Sequence, residues 1–507
     1  MKPRIADVCL LLEGTYPHTP GGVSSWVHDL VTGMGDLTFH VVSILSGSTV
    51  PAPHYTPPAN VIARSPLFVR TLKPGKKPGR ALDRIFDQIE GPLLRLQEGS
   101  GGLEEIVSIN SALKPYRGSI GENALLNSKA AWRLLHLMYG HSHAGCSFLD
   151  YFWTWRCLQE GLFSMMVADL PAARCYHTVC TGYAGLLAAR ASSETGRPVI
   201  LTEHGIYTNE RRVEIAMADW LTERPPPSLD PTLQHRTLGD VWTRSFESYS
   251  RACYAACNPV ITLYEGNQMF QRADGASPDR MRVIPNGVDP DRFPAGRRRE
   301  IPHRPTIALI GRVVPIKDVM TYIRACAILA RDVPDLRAWV LGPDGEDPAY
   351  AEECRAMSGH LGLGAVLEFK GQVRLEEYLH EVDILVLTSI SEAQPLVILE
   401  AGAAGIPSVA TDVGSCRELL LGRPGETPAL GPGGVITPLA NPASTARALA
   451  GLLGDPDRLA ACGETMRRRV RRHYNKREIL ACYHDLYRAA ADRPDRAVSP
   501  EGLPWPA

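Results

Sequence analysis

No stretch of the chain reaches the ~18 uninterrupted apolar residues that a membrane-spanning helix needs, so nothing in it reads as a membrane span. Net charge is nearly absent as well. Lys and Arg number 54 against 55 Asp and Glu, and no global field favours nucleic acid or anionic lipid. Recognition is left to local charge. The twelve cysteines include no Cys-x-x-Cys, and their irregular scatter suits reduced, buried thiols, with the cytosol as the expected compartment. The apolar run near the start covers only residues 8–12 before Glu13 ends it, which is shorter than a signal-peptide core. A Gly-x-Gly-x-x-Gly fingerprint is missing from the first strand–loop–helix, and with it the main support for a dehydrogenase. His141, His143 and Cys146 are ligand types at metal-like density. No second half with matching spacing follows, whereas structural zinc normally takes four protein ligands, so a polar loop is the preferred reading.

What is present is an ordinary globular composition, 44% apolar and 21% charged, over 507 residues. That is too long for one core and predicts two or three domains. Residues 5–12, apolar but for Asp7, form a segment suited to a parallel strand covered on both faces. A glycine-containing loop, an amphipathic helix from Gly21-Gly22 and a strand at 38–45 complete a βαβ unit. Residues 51–80 are rich in proline and basic residues. A mainly helical insertion is expected at about 75–170, after which strands resume near 175–179, 199–202, 260–263 and 281–284. Residues 295–305 are polar and proline-punctuated, the best linker. A second alternating array follows, with strands expected at 306–310, 337–341, 366–369, 384–388, 408–410 and 434–436. The expected organisation is α/β: two doubly wound, Rossmann-like domains, 1–300 and 301–472, and a segment 473–507 whose helix returns to the first domain. Ligands of such sheets bind at the carboxyl ends of the strands.

The strongest chemical signal is Thr388-Ser-Ile-Ser-Glu392-Ala-Gln-Pro395-Leu-Val-Ile-Leu-Glu400. It leaves a strand and opens a helix, with Pro395 expected in the first helical turn. The amides of Leu396 and Val397 would then offer a diphosphate site. Glu392 and Glu400 stand among apolar residues, where a carboxylate without a partner is costly, and ligand hydroxyls are the better explanation for them. Gly311-Arg312, with Lys317 five residues on, follows the first strand of the second array and makes a compact cationic site for phosphate oxygens. Gly21 and Gly22 let backbone amides approach a phosphate or sugar closely. His204, beside Gly205 at a strand end, is read equally well as a structural histidine or a sugar contact. Asn286-Gly287 is read as a structural turn. The triplets Asp289/Asp291 and Asp455/Asp457 carry a central proline, look like turns and receive no metal. The run Arg467-Arg-Arg-Val-Arg-Arg-His473 is read as a solvated helix face, with a membrane-surface or partner contact second.

Taken together, Glu392 with Glu400, Gly311-Arg312 with Lys317, and Pro-Asn-Gly-Val-Asp at 285–289 resemble the retaining GT-B glycosyltransferases of family GT4. More narrowly, Leu-Leu-Glu-Gly-Thr-Tyr-Pro at 11–17, Gly-Gly-Val-Ser-Ser-Trp-Val-His at 21–28 and Thr-Glu-His-Gly-Ile-Tyr at 202–207 are similar to the PelF group. Those are cytosolic glycosyltransferases of the Pel exopolysaccharide system. The resemblance implies the GT-B fold, a UDP-sugar donor, a polysaccharide acceptor, no cofactor or metal, and an inner-membrane synthesis and export complex as partner. By position it implies that Glu400 binds the ribose and that Glu392 and His204 contact the donor sugar. It further implies that Arg312 and Lys317 clamp the diphosphate with the Leu396 and Val397 amides and the Gly21–Gly22 loop. Ala393-Gln394 stands where many members carry a glycine-rich turn, and a positive φ at Ala393 would be strained. Two other readings on a similar fold are a catalytically weak scaffold subunit and a UDP-sugar epimerase. An epimerase would turn over the nucleotide sugar without an acceptor.

Overall fold

The computed structural model describes residues 5–79, 81–142, 146–216, 237–293 and 304–492. The expected linker at 295–305 and His143 of the His/Cys cluster therefore lie largely outside the described residues. His141 Nδ1 lies 2.9 Å from a Glu98 carboxylate oxygen. No group of three potential metal ligands occurs among the described residues, and no described helix is long and apolar enough to cross a membrane.

The chain divides into two compact units, residues 1–262 with 267–283 and 483–507, and residues 263–266 with 284–482. The crossings at 283 and 482 differ from the expected 300 and 472. The cause is local: Val288 N–H donates to the Tyr474 carbonyl at 2.9 Å and Lys476 N–H to the Val288 carbonyl at 3.0 Å. These bonds fix the 285–289 motif to residues 474–476 inside the second unit.

The first unit is a seven-stranded, all-parallel sheet: β1 (Ala6–Glu13), β2 (Phe39–Leu45), β3 (Val61–Phe68), β4 (Ala173–Thr178), β5 (Val199–Glu203), β6 (Val260–Thr262) and β7 (Met281–Val283), in the order β3-β2-β1-β4-β5-β6-β7. β1 is almost wholly buried, as a central strand covered on both faces must be. β3 was not foreseen within the proline-rich 51–80. It pairs only with β2, and an edge strand tolerates Pro66, whose missing N–H costs the ladder nothing on the open side. Five helices between Ala81 and Val167 make the expected insertion. Their apolar faces join those of the helices Tyr183–Thr195 and Leu238–Ala256 in one core.

The second unit has six parallel strands: β8 (Thr306–Ile310), β9 (Arg337–Leu341), β10 (Leu367–Gly371), β11 (Ile384–Leu387), β12 (Ser408–Thr411) and β13 (Gly434–Thr437), in the order β10-β9-β8-β11-β12-β13. Separate apolar clusters cover its two faces. In each sheet the strand order reverses once, between β1 and β4 and between β8 and β11. Such a reversal opens a crevice for ligands beyond the strand ends.

The basic run corrects one expectation. Arg469, on the helix Pro456–His473, is 1% exposed and follows the buried Met466 by three residues. Its guanidinium forks onto Glu426 at 2.7 and 2.9 Å and donates to the carbonyls of Leu419, Leu420 and Gly431. Arg467 and Arg471 instead make exposed pairs with Glu464 and Asp291. The run is half core and half surface.

Candidate active site

Both predicted motifs of the second unit leave the strands that flank its reversal point. Gly311–Asp318 follows β8, and Thr388–Pro395 follows β11. The two loops are tied together. Thr388 Oγ1 donates to the carbonyls of Lys317 at 3.1 Å and Asp318 at 2.9 Å, and Ile390 N–H donates to the Ile316 carbonyl at 2.9 Å. Asp318 turns the chain at φ 44° and caps the helix Val319–Leu329 by accepting from Thr321 N–H. Asp is among the few non-glycine residues that adopt this conformation readily.

This scaffold brings Lys317 and Glu392 together: Lys317 Nζ donates to Glu392 Oε1 at 2.5 Å, and Ser389 Oγ donates to the same oxygen at 2.6 Å. Both side chains are largely buried, so their attraction is screened less than that of a surface pair. Arg312 does not share this contact. It reaches the exposed Glu346 after β9 through two bonds of 2.5 and 2.6 Å. The two expected cations therefore stand in the same loop but face different carboxylates.

Glu400 lies on the helix Leu396–Ala403, which begins one residue later than expected, with Pro395 as its N-cap. Pro395 retains its carbonyl function there, accepting from Ile398 N–H at 3.1 Å, while the Leu396 and Val397 amides are those that helix geometry leaves without an intrahelical acceptor. The Glu400 carboxylate receives no hydrogen bond from any described residue. Burial pushes its pKa up to about 7, and Arg292 and Lys476 only partly offset this.

The residues that shape the loop from behind were not found in the sequence. Gln394 is buried, and its Oε1 accepts from Asn286 N–H at 2.6 Å, so the 285–289 motif is more than a turn: it is docked against the Glu392 loop. Gly414, at φ 52°, passes so close that a Cβ would sit 2.2 Å from the Glu392 carbonyl oxygen. Ala393 has no positive φ, and the strain expected there does not arise. Asp289 Oδ1 accepts from Asp291 N–H at 3.0 Å, and Asp455 caps the helix Pro456–His473. Both triplets are thus occupied by turn and cap bonds.

In the first unit, Gly21 has φ 154° and ψ 171° and stands just before the helix Gly22–Gly33, a conformation nearly confined to glycine. Trp26 of that helix meets His204 edge-on, with ring centroids 4.7 Å apart. His204 is 9% exposed, and its buried Nε2 has no partner. Burial lowers its pKa to about 4, so the ring is neutral at physiological pH with a nitrogen left to satisfy. The neighbouring Glu203 is instead fully satisfied, accepting from Tyr254 Oη at 2.8 Å, Gln271 Nε2 at 3.0 Å and the Tyr207 amide at 3.2 Å.

Comparison with known proteins agrees with this layout. Residues 304–455 match the family model "Glycosyl transferases group 1", and residues 6–279 match the domain family DUF3492. A D-inositol 3-phosphate glycosyltransferase of Streptomyces scabiei is 30% identical over 303 residues, covering 57% of this chain and 61% of the relative. The chain thus spans less than two thirds of that protein. One from Thermobispora bispora is 31% identical over 359 residues, 65% of this chain and 78% of the relative. Among solved structures, the sucrose-phosphate synthase of Thermosynechococcus elongatus superposes with a TM-score of 0.56 at 18% identity, covering 95% of this chain and 98% of that one. Anabaena HepE, crystallised with UDP and glucose, gives 0.54 at 13% identity, with 95% and 99% covered. Those two likenesses speak for the fold, two Rossmann-like domains of the GT-B kind. With the matched family model, the T. bispora relative and the loops of the second unit in agreement, the chain belongs to the group 1 glycosyltransferases.

Proposed function

We propose that this chain is a retaining glycosyltransferase that moves a hexose or N-acetylhexosamine from a UDP-sugar to a growing exopolysaccharide, in the manner of the PelF group. The observation that carries the reading is the half-buried Glu400 carboxylate, which receives no hydrogen bond from the described residues, one helical segment away from the Lys317–Glu392 pair at the β8/β11 reversal point. A carboxylate so placed costs free energy unless a ligand donates to it, and the two hydroxyls of a ribose are suitable donors.

On this reading the uridine ribose binds Glu400. The diphosphate lies over the Leu396 and Val397 amides and draws Lys317 and Arg312 from their carboxylate partners, and Glu392 is then free to accept from the hydroxyls of the donor sugar. Positive charge from these side chains stabilises the departing diphosphate without a metal. A leaving phosphate oxygen takes the acceptor proton on the face it departs from, so no protein nucleophile is required. The names and titles of similar proteins support parts of this: HepE was crystallised with UDP and glucose, and the curated relatives are named as glycosyltransferases acting on an inositol phosphate. A polymer made inside the cell must be passed outward, and an inner-membrane export complex is the corresponding partner.

Calorimetric titration with UDP, ADP, GDP and NAD, without added metal, tests the reading. UDP alone should bind, and Arg312→Ala should weaken it by roughly 10-fold or more, as expected for loss of a charge-assisted bond. Binding of NAD alone, or of none of the four, overturns the assignment.

A further inference from the structure

The basic residues that end the proline-rich segment 51–80, and the helical insertion after it, have no part in the donor site. They lie side by side. Glu122 N–H donates to the Lys73 carbonyl at 2.8 Å, Asn123 N–H to the Pro74 carbonyl at 2.9 Å and Lys76 N–H to the Ser119 carbonyl at 2.6 Å. Arg156, on the helix Phe148–Val167, reaches the same junction, donating to Glu122 at 2.6 Å and to Asn127 at 2.8 Å.

Beside this junction the insertion turns an apolar ridge to solvent. Of the described tryptophans only Trp132 and Trp153 are exposed, at 49% and 55%, and Leu149, one turn before Trp153, is 63% exposed. The rings are contiguous. Trp132 lies 5.9 Å from Phe148 and 6.2 Å from Phe152, and Phe152 lies 5.0 Å from Trp153. A hollow of about 670 Å³ opens against Trp132 and Phe152, and its charged lining is Lys129, Arg133 and Arg156, with no carboxylate. Arg133 and Arg156 are answered by Asp83 and Glu122. Lys73, Lys76, Lys77 and Lys129 are exposed and make no ion pair among the described residues.

Exposed tryptophan and leucine beside free lysines suit a lipid–water boundary, where indoles sit at headgroup depth and ammonium groups meet anionic phosphates. A protein-facing surface would carry a different border, because lysine is depleted at protein–protein interfaces. We infer that this face of the insertion docks on an anionic phospholipid surface, the lysines drawing it there and the aromatic ridge entering the headgroup layer. The face belongs to the first unit alone and does not depend on the transferase reading, so lipid binding and UDP binding can fail separately.

Co-sedimentation of the full chain with vesicles of phosphatidylcholine alone, and of equimolar phosphatidylcholine and phosphatidylglycerol, tests it, with Tm and UDP affinity measured in parallel. The chain should sediment with the anionic vesicles and stay in solution with the neutral ones. Trp132→Ala combined with Trp153→Ala should weaken binding about tenfold or more. Lys73→Gln, Lys76→Gln and Lys77→Gln together should do so too, and added salt should then matter less than it does to the parent. These side chains are exposed, so Tm and UDP affinity should match the parent; the lysine variant keeps the test open if the tryptophan variant folds poorly. Equal binding to neutral vesicles, or anionic binding unchanged in both variants, would overturn the assignment. So would a folded chain that sediments with neither vesicle, or a dimer that dissociates in the tryptophan variant, which would give the ridge to a second copy.

Discussion

Glu400 illustrates how one side chain's surroundings set its chemistry. Its pKa near 7 means that it is partly protonated at neutral pH, whereas ribose hydroxyls donate best to the ionised form. UDP binding at pH 6.5 should therefore release protons, seen calorimetrically as a dependence of the apparent enthalpy on the buffer's ionisation enthalpy. Glu400→Gln should reduce that dependence to what the UDP phosphate, with its second pKa of about 6, contributes alone, and weaken UDP by about 1.5–3 kcal/mol; an undiminished proton release would contradict the ribose contact. Stability carries the same signature. Glu400 and Glu203 both have pKa values raised from 4.5 to about 7 by burial, so between those limits the folded chain binds more protons than the unfolded one. Their stabilising contribution is complete below about pH 4.5 and is lost as pH rises through 7. The fall in Tm between pH 5 and pH 8 should accordingly be smaller in Glu400→Gln. The placement of Arg312, Lys317 and Glu392 on loops that leave apolar strands, and of Glu400 on the helix that follows, was legible in the sequence. Gln394 and Gly414 were not, because their partners are remote: Gln394 meets Asn286 across 108 positions, and no local pattern reports that.

At the scale of elements, the Glu392 loop is shaped by what passes behind it. Gly414→Ala would place a methyl group against the Glu392 and Ala393 carbonyl oxygens, displacing the loop while leaving Glu400 and its helix in position. Transfer should fall by more than tenfold in a radiolabelled-sugar assay, with UDP affinity changed far less; equal losses in both would mean that the whole second unit had shifted. The helix Pro456–His473 supplies a stability test. Arg469→Ala strands Glu426 without its partner and should cost about 3–5 kcal/mol in denaturant unfolding, whereas Arg467→Ala, at an exposed pair, should cost less than about 1 kcal/mol. Charge alone suggested a solvated face, but the position did not: 469 falls on the same stripe as the buried Met466 and Val470. Reading periodicity before residue type would have placed it inward. β3 escaped for a related reason, since prolines mask the strand signal and only its edge position makes them tolerable.

Across the whole molecule, two sheets with the same reversal carry two different sets of side chains, and that duplication was visible as two alternating arrays in the sequence. The path of the chain between units was less so, because it depends on backbone bonds such as Val288 to Tyr474. The end of the last helix, Lys476–Ala491, belongs to the first unit, where Tyr487 Oη bonds His177 Nδ1 at 2.6 Å and Tyr483 Oη bonds Thr202 at 3.1 Å. Tyr487→Phe leaves the buried His177 nitrogen unsatisfied and should destabilise the protein by about 1–3 kcal/mol, read as a lowered Tm with unchanged UDP affinity.

The contact between Lys317 and Glu392 has a consequence for timing. Each engages the other in this structure, so the pair is locally electroneutral and, on the proposed reading, leaves neither Lys317 nor Glu392 Oε1 unengaged for a bare sugar. On the proposed reading, a ligand carrying phosphate competes with Glu392 for the ammonium, and in doing so would liberate the carboxylate for the sugar attached to that same phosphate. On that reading the pair would act as a coincidence detector, opening to a sugar and its diphosphate together and staying shut to a sugar alone.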